Sequence, residues 1–287
     1  MPNYWESQIL TLGDGTVLVE CGPMRMFIEG YCDGISQPET CRRAAQEAIK
    51  FLEQIAKHRA KIQSPAVTLR EPQKHLLIHE MWQAARVVGD EDLTPMATVA
   101  GTIADATADF LASQDLSKVV VNNGGDVAFR LARGQTVTVG IRPEVNGTEV
   151  TRRILVSHET NIRGVCTSGL GGRSFTRGVA SAATVFASKA SIADAAATAV
   201  ANATYILSTE VRRCRAEAID PNTDLQGVEI TSGVGALSRG EIDTALRQGI
   251  ERAERLVAEC TIFGACVAVK GHMLCTKSLD QVSPRAA

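Results

Sequence analysis

Asp194 and Thr198 are the two residues of this sequence that best fit a metal site. They lie in a run of mostly Ala, Val, Thr and Asn over residues 191–207, which predicts a helix with Ser191 as its N-cap and Asp194 in its first turn. Positions four residues apart share one face of a helix, and a carboxylate with a hydroxyl is an oxygen pair that Mg²⁺ accepts. A structural alternative stays open, in which Asp194 caps the helix and Thr198 bonds back to a carbonyl.

A glycine-rich loop precedes this helix and has the composition of a phosphate-binding segment. It contains Thr167, Ser168, Gly169, Gly171, Gly172, Arg173 and Arg177. Glycines permit positive φ angles and a close approach of the backbone, so that successive amides can point at one anion. The two arginines add positive charge beside those amides. The loop is therefore predicted to hold phosphate.

A third polar segment joins two predicted strands earlier in the chain. The strands cover residues 118–122 and 127–131, and the segment between them consists of Asn122, Asn123, Gly124, Gly125 and Asp126. One interpretation is a hairpin turn with no further role. The other places the asparagine and aspartate side chains at the mouth of the sheet, where they hydrogen-bond the edge of a ring or a sugar.

Two of these segments have echoes elsewhere in the sequence. Thr-Ile-Ala-Asp at 102–105 resembles Ser-Ile-Ala-Asp at 191–194, and Thr-Ser-Gly at 231–233 repeats 167–169. Such a duplication suggests that two similar helices pack face to face through small residues, and that the fold is internally pseudo-symmetric.

The histidines and cysteines give weaker indications of chemistry. His75 and His79 are four apart in a predicted helix, but without a third ligand or a His-Glu-x-x-His motif they are expected to be partly buried helix residues. The 8 cysteines lack any C-x-x-C spacing, which favours reduced, mostly buried thiols over disulfides, zinc or an iron–sulfur cluster. Burial is also favoured for Cys166, beside the glycine loop, because no histidine is near it in sequence.

Composition indicates a soluble globular chain and excludes several classes of partner. Its 287 residues are 45% apolar and 22% charged, with a net charge of −2. No basic patch with aromatic residues favours nucleic acid, and no apolar run reaches the roughly 18 residues that suggest a membrane helix. The N-terminus lacks a signal-peptide pattern, so a cytoplasmic protein is expected. A homodimer is left open.

The elements that must position these residues alternate between strands and helices. Strands are predicted at 9–12, 17–21, 24–29, 118–122, 127–131, 136–141, 152–158, 182–187 and 228–232, with a final hairpin over 261–277. Helices are predicted at 38–62, 75–88, 97–113, 191–207 and 241–259. No Gly/Ser/Pro-rich linker divides the chain. Residues 1–287 are therefore predicted to form one α+β domain, with an antiparallel-rich sheet wrapped by helices.

Three segments in this order resemble the motifs of the ApbE-like flavin transferases. They are Val-Asn-Asn-Gly-Gly-Asp-Val at 121–127, Thr-Ser-Gly at 167–169 and Ala-Asp-Ala-Ala-Ala-Thr-Ala at 193–199. Ala-Gly-Thr-Ile-Ala-Asp at 100–105 also resembles the family's Lys-Gly-x-x-x-Asp helix, and the resemblance is strongest over 94–207. It implies an ApbE-like fold, FAD as the ligand, Mg²⁺ held by the side chains of Asp194 and Thr198, and transfer of FMN to a threonine of a partner protein.

The departures from the family pattern change what is expected of this chain. Ala100 stands where the family has a lysine, and nothing between residues 173 and 185 corresponds to the family's His-Ile-x-Asp-Pro-x-Thr-Gly segment. The lipoprotein signal often seen in the family is also missing. The chain therefore resembles an uncharacterised cytoplasmic branch of the ApbE-like superfamily, and transfer of FMN to threonine is not expected of it.

Functions from different classes follow from these observations. The first is a Mg²⁺-dependent transferase or hydrolase acting on a flavin or another phosphate-bearing small molecule, which the 122–126 turn and the glycine loop would hold. The second is a carrier or sensor that binds such a ligand without chemistry, and the third is a scaffold. No residue is assigned as the catalytic base, which leaves the first two open.

Overall fold

The computed structural model of the protein describes residues 6–72, 75–144, 147–172 and 174–282. Its α-helices are α1 (Pro38–His58), α2 (Leu76–Val88), α3 (Val99–Ala112), α4 (Ala190–Ala203), α5 (Arg239–Ala258) and α6 (Lys277–Val282). The first five confirm the helices that the apolar periodicity predicted, with shifts of a few residues at their ends. The short α6 was not predicted.

The described part of the chain also contains fourteen strands. The first seven are β1 (Ser7–Thr11), β2 (Val17–Cys21), β3 (Met24–Cys32), β4 (Ile35–Ser36), β5 (Lys118–Asn123), β6 (Asp126–Leu131) and β7 (Thr136–Ile141). The others are β8 (Arg152–Ser157), β9 (Gly164–Ser168), β10 (Ala182–Ala187), β11 (Val211–Arg215), β12 (Glu229–Val234), β13 (Gly264–Val269) and β14 (His272–Cys275).

One 10-stranded sheet forms the centre of the fold. Its strand order is β1-β2-β3-β5-β6-β9-β10-β13-β14, and β4 pairs with β3 outside this path. Each neighbouring pair in the sheet is antiparallel. This confirms the predicted α+β fold with an antiparallel-rich sheet and helices packed on it.

The central strands are covered on both faces. A large apolar core joins the sheet to α1, α3, α4 and α5. A smaller core around Phe129, Ile154 and Phe186 lies between the other face of the sheet and the β7–β8 pair. Every residue of β10 and of β13 is buried as a result. Both strands are continuous runs of small and apolar residues, as strands buried on two faces are.

The β11–β12 pair is a separate two-stranded sheet, and β11 was not predicted. Its sequence is Val-Arg-Arg-Cys-Arg, in which no apolar alternation marks a strand. Its partner β12 contains the predicted 228–232 strand, shifted by one to two residues.

Helices α3 and α4 pack together, as the repeated segments suggested. Their approach is close, because a Cβ placed on Gly101 would lie 2.4 Å from the carbonyl oxygen of Ala190. The N-cap of α4 is Lys189, so the prediction of Ser191 as the N-cap is wrong. Asp194 consequently lies in the second turn, not the first. The helix begins at Ala190, and no side-chain hydrogen bond caps its N-terminus within the helix itself.

The cysteines differ from the prediction at one point. Cys266 and Cys275 are opposite each other in the β13–β14 pair and form a disulfide, so the expectation of free thiols is wrong for these two. Sequence spacing does not reveal strand register, which brings the two sulfur atoms together. Cys166 is free and buried, as expected. Among the described helices, none combines the length and apolarity required to cross a membrane.

Candidate functional site

Asp105 on α3 and Asp194 on α4 each accept a hydrogen bond from a backbone amide near the beginning of the other helix. Oδ2 of Asp194, on α4, accepts a hydrogen bond from the backbone amide of Gly101 at 2.9 Å. Oδ2 of Asp105, on α3, accepts one from the amide of Ser191, also at 2.9 Å. Both amides belong to the first turn of a helix, where they have no partner within the helix. Asp194 is thus a cap, as the structural alternative proposed, but for the neighbouring helix.

A cavity of about 240 Å³ opens beside this crossing and is called the Asp194 cavity here. It unites three of the segments that the sequence singled out, since its lining contains Asn123, Gly124, Asp126, Thr167, Ser168, Gly169, Gly172 and Asp194. Strands β5 and β9 end at this cavity, β6 begins there with Asp126, and α4 supplies the second carboxylate. The hairpin turn, the glycine loop and the α4 helix therefore meet at one place.

The other predicted site residues do not line this cavity. Asn122, Gly125, Gly171 and Thr198 are absent from its lining, and Arg173 lies outside the described residues. Oδ1 of Asn122 accepts a hydrogen bond from the amide of Gly125 at 2.9 Å, which explains the position of both in the turn. Asn123 is buried instead, and its Nδ2 donates to the carbonyl of Ala100 at 3.2 Å.

The glycine loop differs from a chain of amides aimed at one anion. The amide of Leu170 donates to the carbonyl of Ala180 at 2.9 Å, and that of Gly172 donates to the carbonyl of Gly169 at 3.2 Å. The expectation of free amides is therefore wrong for Leu170 and Gly172. These bonds form because Gly169 and Gly171 have φ angles of 152° and 83°, which fold the loop back on itself.

Arg177 also differs from its predicted role beside the loop. Its guanidinium is paired with the carboxylate of Asp92, and it lines other cavities than the Asp194 cavity. The prediction that it supplies positive charge to the glycine loop is wrong. The prediction rested on closeness in sequence, which does not show where the side chain lies.

Ser168, in the lining of this cavity, has a buried hydroxyl without a hydrogen-bond partner among the described residues. Its side chain is buried, and Oγ forms no hydrogen bond with any described residue. A buried hydroxyl without a partner is costly, so such groups in proteins are normally paired with a ligand, water or another side chain. Ser168 lines a cavity that also contains two carboxylates.

The electrostatics of the cavity are dominated by burial of acidic groups. Burial, followed by the charge of Asp126, raises the pKa of Asp194 well above its ordinary value, while the Gly101 amide acts in the opposite direction. Burial, again followed by Asp126, raises the pKa of the Cys166 thiol well above its usual value. Cys166 Sγ also lies 3.2 Å from the carbonyl oxygen of Ala190. A neutral, enclosed thiol of this kind is a poor nucleophile.

Thr198 lies one turn beyond Asp194 on α4 but lines an adjoining cavity of about 350 Å³. Pro23 and Ser174 line both cavities, so the two spaces are neighbours. The adjoining cavity has a polar wall that includes Arg59 and Asp92. The two residues of the predicted metal pair thus line two neighbouring cavities, and only Asp194 lines the Asp194 cavity.

Comparison with known proteins shows the family to which the chain belongs. A family model described as AbpE bacteria matches residues 8–275. The chain belongs to this family. The AbpE-family chain is 38% identical over 128 residues to the UPF0280 protein of Methanothermobacter thermautotrophicus, covering 44% of this chain and 48% of that relative. It is 47% identical over 111 residues to the UPF0280 protein of Methanopyrus kandleri, covering 38% and 43%.

The matches span about half the length of these curated relatives. A solved structure, the Pseudomonas stutzeri flavinyl transferase ApbE in its apo form, is similar over 100% of both chains with a TM-score of 0.51. Its sequence is 13% identical, so this similarity shows the fold alone. The resemblance to the ApbE-like superfamily that the motifs indicated is confirmed.

The histidine pair of the AbpE-family chain lies apart from the Asp194 cavity. His75 is the N-cap of α2, and His79 is within that helix, 3.6 Å from the carboxylate of Glu71. The described residues contain no cluster of three or more His, Cys, Asp or Glu side chains arranged for a metal. A metal in the Asp194 cavity would therefore depend on hydroxyl, carbonyl or water ligands beside carboxylates.

Sequence patterns missed several residues that shape the cavity of this AbpE-family chain. Its lining includes Pro23 from the turn between β2 and β3, Met24 at the start of β3, and Val99 and Ala100 at the start of α3. The Gly22-Pro23 pair in the sequence favours a turn, but a local pattern does not indicate where that turn lies in space. Arg130, which binds Asp105 and Asp109, was missed because a single arginine in a strand carries no local signal.

Proposed function

We propose that this AbpE-family protein binds a flavin or another phosphate-bearing small molecule in the Asp194 cavity, with Mg²⁺, and acts on it as a transferase or hydrolase. The observation that supports this most directly is the lining of the cavity. Two carboxylates, Asp126 and Asp194, and the unpartnered Oγ of Ser168 share it with the loop at Gly169. These are the hard oxygen groups that Mg²⁺ prefers.

The charges of the cavity favour a divalent cation between protein and phosphate. Its described lining contains Asp126 and Asp194 but no Lys, Arg or His. A phosphate would meet like charges there, whereas Mg²⁺ attracts both the carboxylates and the phosphate. The raised pKa of Asp194, caused first by burial, fits the same interpretation, because a bound cation would compensate for burying that charge.

In this proposal Asp194 and Asp126 hold the cation, and Thr198 completes the set from the adjoining cavity. When bound, Mg²⁺ would neutralise negative charge that develops on the phosphate during group transfer. The chain itself orients the ligand. Gly101 fixes the Asp194 carboxylate through its amide, and Ser168 supplies a hydroxyl that can donate to a phosphate oxygen.

The second candidate is a carrier or sensor that binds the same ligand without reaction. The observation that favours it is the state of Cys166, the thiol next to Thr167 in β9. It is fully buried, and burial raises its pKa well above the usual value. The acidic side chains then remain as the titratable groups of the described lining, and both are assigned to the cation.

Transfer of FMN to a threonine is not part of the proposed function. Ala100 lines the cavity at the place where the family has a lysine, so a cationic group next to the phosphate is absent from this position. Incubation with FAD, Mg²⁺ and a threonine-containing target peptide should give no peptide-bound FMN. Enzyme-dependent labelling of the peptide would show that this exclusion is wrong.

A titration and a product assay test the proposal. FAD and FMN are titrated calorimetrically into purified protein, with Mg²⁺ and with EDTA, and we expect binding that EDTA weakens by at least roughly tenfold. FAD is then incubated with the protein and Mg²⁺ and the products are separated by chromatography. Release of FMN and AMP identifies a hydrolase, whereas unchanged FAD with tight binding excludes hydrolysis and leaves the carrier or a transferase that lacks its acceptor. No binding of either flavin would refute both.

A further inference from the structure

A second cavity, of about 510 Å³, also borders helices α3 and α4. It shares no lining residue with the Asp194 cavity and is called the Thr102 cavity here. Its inner wall is formed by Thr102, Asp105 and Ser191 together with Arg130. We propose that the Thr102 cavity is a second binding site, whose ligand is a small organic amine with an aromatic or apolar body.

Thr102 is the first observation that points to a ligand. The residue is 2% exposed, and its Oγ1 has no hydrogen-bond partner in the part of the chain that the structure describes. A buried threonine in a helix ordinarily donates to the carbonyl four residues earlier, as Thr107 does to Ile103 at 2.7 Å in the same helix. Thr102 makes no such bond and borders an open cavity. Its hydroxyl can accept a hydrogen bond from an ammonium group.

The charge of the inner wall is the second observation. Arg130 Nη2 lies 3.0 Å from Oδ1 of Asp105, and its Nε lies 2.6 Å from Oδ1 of Asp109. One guanidinium therefore meets two carboxylates, which leaves one negative charge in excess. The other ion pair of the wall, Lys189 with Glu80 at 2.6 Å, is neutral by itself. With the histidines counted as neutral, the cavity carries a net charge of −1 and favours a cation over an anion.

The ion pair between Arg130 and Asp105 is partly desolvated, and the second carboxylate, that of Asp109, lies at the rim of the cavity. The side chain of Arg130 is 13% exposed and that of Asp105 is 11% exposed, whereas Asp109 is open to solvent at the rim. An electrostatic attraction is stronger in such a cavity than at an open surface because less water screens it. An ammonium group entering from solvent meets Asp109 at the rim, and Thr102 belongs to the same lining.

The remaining wall explains why the ligand should have an apolar body. Phe51 and Phe110 line the cavity together with Leu77 and Ile78. A cavity of this size, whose lining combines aromatic and aliphatic side chains with charged and polar ones, can hold a small molecule. Aromatic rings also attract organic cations through their faces. An aromatic ring that carries an amine matches both the charged and the aromatic side chains of the lining.

Three probes with one ring system separate the effect of charge from the effect of shape. Tryptamine, tryptophol and indole-3-propanoate are titrated calorimetrically into the full chain at low salt with EDTA, which keeps Mg²⁺ from the Asp194 cavity. We expect tryptamine to bind at least roughly tenfold more tightly than the alcohol, and the acid to bind most weakly. Equal binding of amine and alcohol, preference for the acid, or no binding of tryptamine would overturn the proposal.

Variants locate the site. Ala106→Leu fills the cavity with a good helix former and should abolish tryptamine binding. Asp109→Asn keeps an oxygen for Arg130 but removes the excess charge, and should weaken binding roughly tenfold. Asp115→Asn, an exposed site outside the cavity, is the charge control and should bind as the wild type does.

Folding of each variant is checked by its melting temperature. A Thr102→Val variant of unchanged melting temperature should also lose affinity, since it keeps the shape of the side chain and removes the hydroxyl. Wild-type affinity in folded Ala106→Leu, or equal losses in Asp109→Asn and Asp115→Asn, would show that tryptamine binds elsewhere or by unspecific charge, and the proposal would be rejected. The assay contains neither flavin nor Mg²⁺, so its outcome does not depend on the proposed function.

Discussion

The carboxylate of Asp194 and the backbone amide of Gly101 are joined by a hydrogen bond of 2.9 Å between helices α4 and α3. The bond fixes one oxygen of the carboxylate, because Oδ2 is committed to the start of the neighbouring helix. The matching hydrogen bond from the amide of Ser191 to Asp105 joins the same two helices a second time. The position of the candidate metal ligand is thus set by the packing of two helices that are distant in sequence.

Gly101→Ala tests how tightly this crossing is packed. A Cβ on residue 101 would lie 2.4 Å from the carbonyl oxygen of Ala190 and 2.9 Å from Cβ of Asp194, so the helices must separate. We expect the free energy of unfolding, measured in urea, to fall by about 2 kcal/mol, as for other overpacked sites. The capping bond from the amide of residue 101 to Asp194 should weaken with it.

Gly240→Ala is the matched control for this substitution. Gly240 is also near the beginning of a helix, α5, and a Cβ there meets no atom within 4 Å. Alanine is a better helix former than glycine, so the control should be unchanged or more stable by up to about 1 kcal/mol. Similar losses in both variants would contradict the close-packing argument.

Local chemistry explains which parts of the fold were visible in the sequence. The Asn-Asn-Gly-Gly-Asp turn between β5 and β6 and the long amphipathic helices α1 and α5 depend on neighbours in the chain, and they were predicted. The repeated Ile-Ala-Asp segments even indicated that α3 and α4 pack together. The turn and the amphipathic helices are encoded by residues that are close together in the sequence.

Long-range partners were not predictable in the same way. The partner of Asp194 is 93 residues away in sequence, and the disulfide of Cys266 and Cys275 follows from the register of β13 and β14. The bonds that Arg130 makes to two carboxylates of α3 depend on how β6 lies under that helix. Residue types and spacings do not contain this information. The sequence therefore identified the segments of the site but not how they lie relative to one another.

Asp194→Asn is expected to change how stability depends on pH. Burial raises the pKa of Asp194 above its ordinary value of 3.8, so the folded state favours the protonated acid. The stability that this group contributes is fully present below about pH 4 and is lost as pH rises through the raised folded-state pKa. In EDTA, the free energy of unfolding of the wild type should therefore fall relative to Asp194→Asn by up to about 1.4 kcal/mol per pH unit above pH 4.

The measurement is a series of urea unfolding curves for both proteins between pH 4 and pH 8. Asparagine can still accept the hydrogen bond from Gly101, so only the charge differs. Mg²⁺ added at pH 8 should stabilise the wild type and leave Asp194→Asn unchanged. A difference between the two proteins that is constant with pH would show that Asp194 does not titrate in this range.

Cys166 is expected to resist alkylation in the native protein. It is buried, and burial raises the pKa of its thiol well above the usual value, so little reactive thiolate is available. Cys260 is exposed and free, and serves as the internal control. Iodoacetamide at pH 8 followed by peptide mass spectrometry should label Cys260 first and Cys166 only after denaturation. Equal native rates at the two residues would contradict the burial of Cys166 and reopen a nucleophilic role for it.

Ligand binding should depend on Asp194 and hardly on the histidine pair. Asp194→Ala removes the carboxylate that we assign to Mg²⁺, and with it the bridge between protein and phosphate, so affinity for FAD should fall by at least roughly tenfold, about 1.4 kcal/mol. The His75→Ala/His79→Ala double variant leaves the Asp194 cavity untouched, because neither histidine lines it. Calorimetric titration of FAD into the three proteins, with Mg²⁺ and with EDTA, measures both effects. Affinity that is equal in the wild type and Asp194→Ala, or independent of EDTA, would refute the metal bridge and favour a metal-free binder, whereas loss of binding in the histidine variant would move the site to α2.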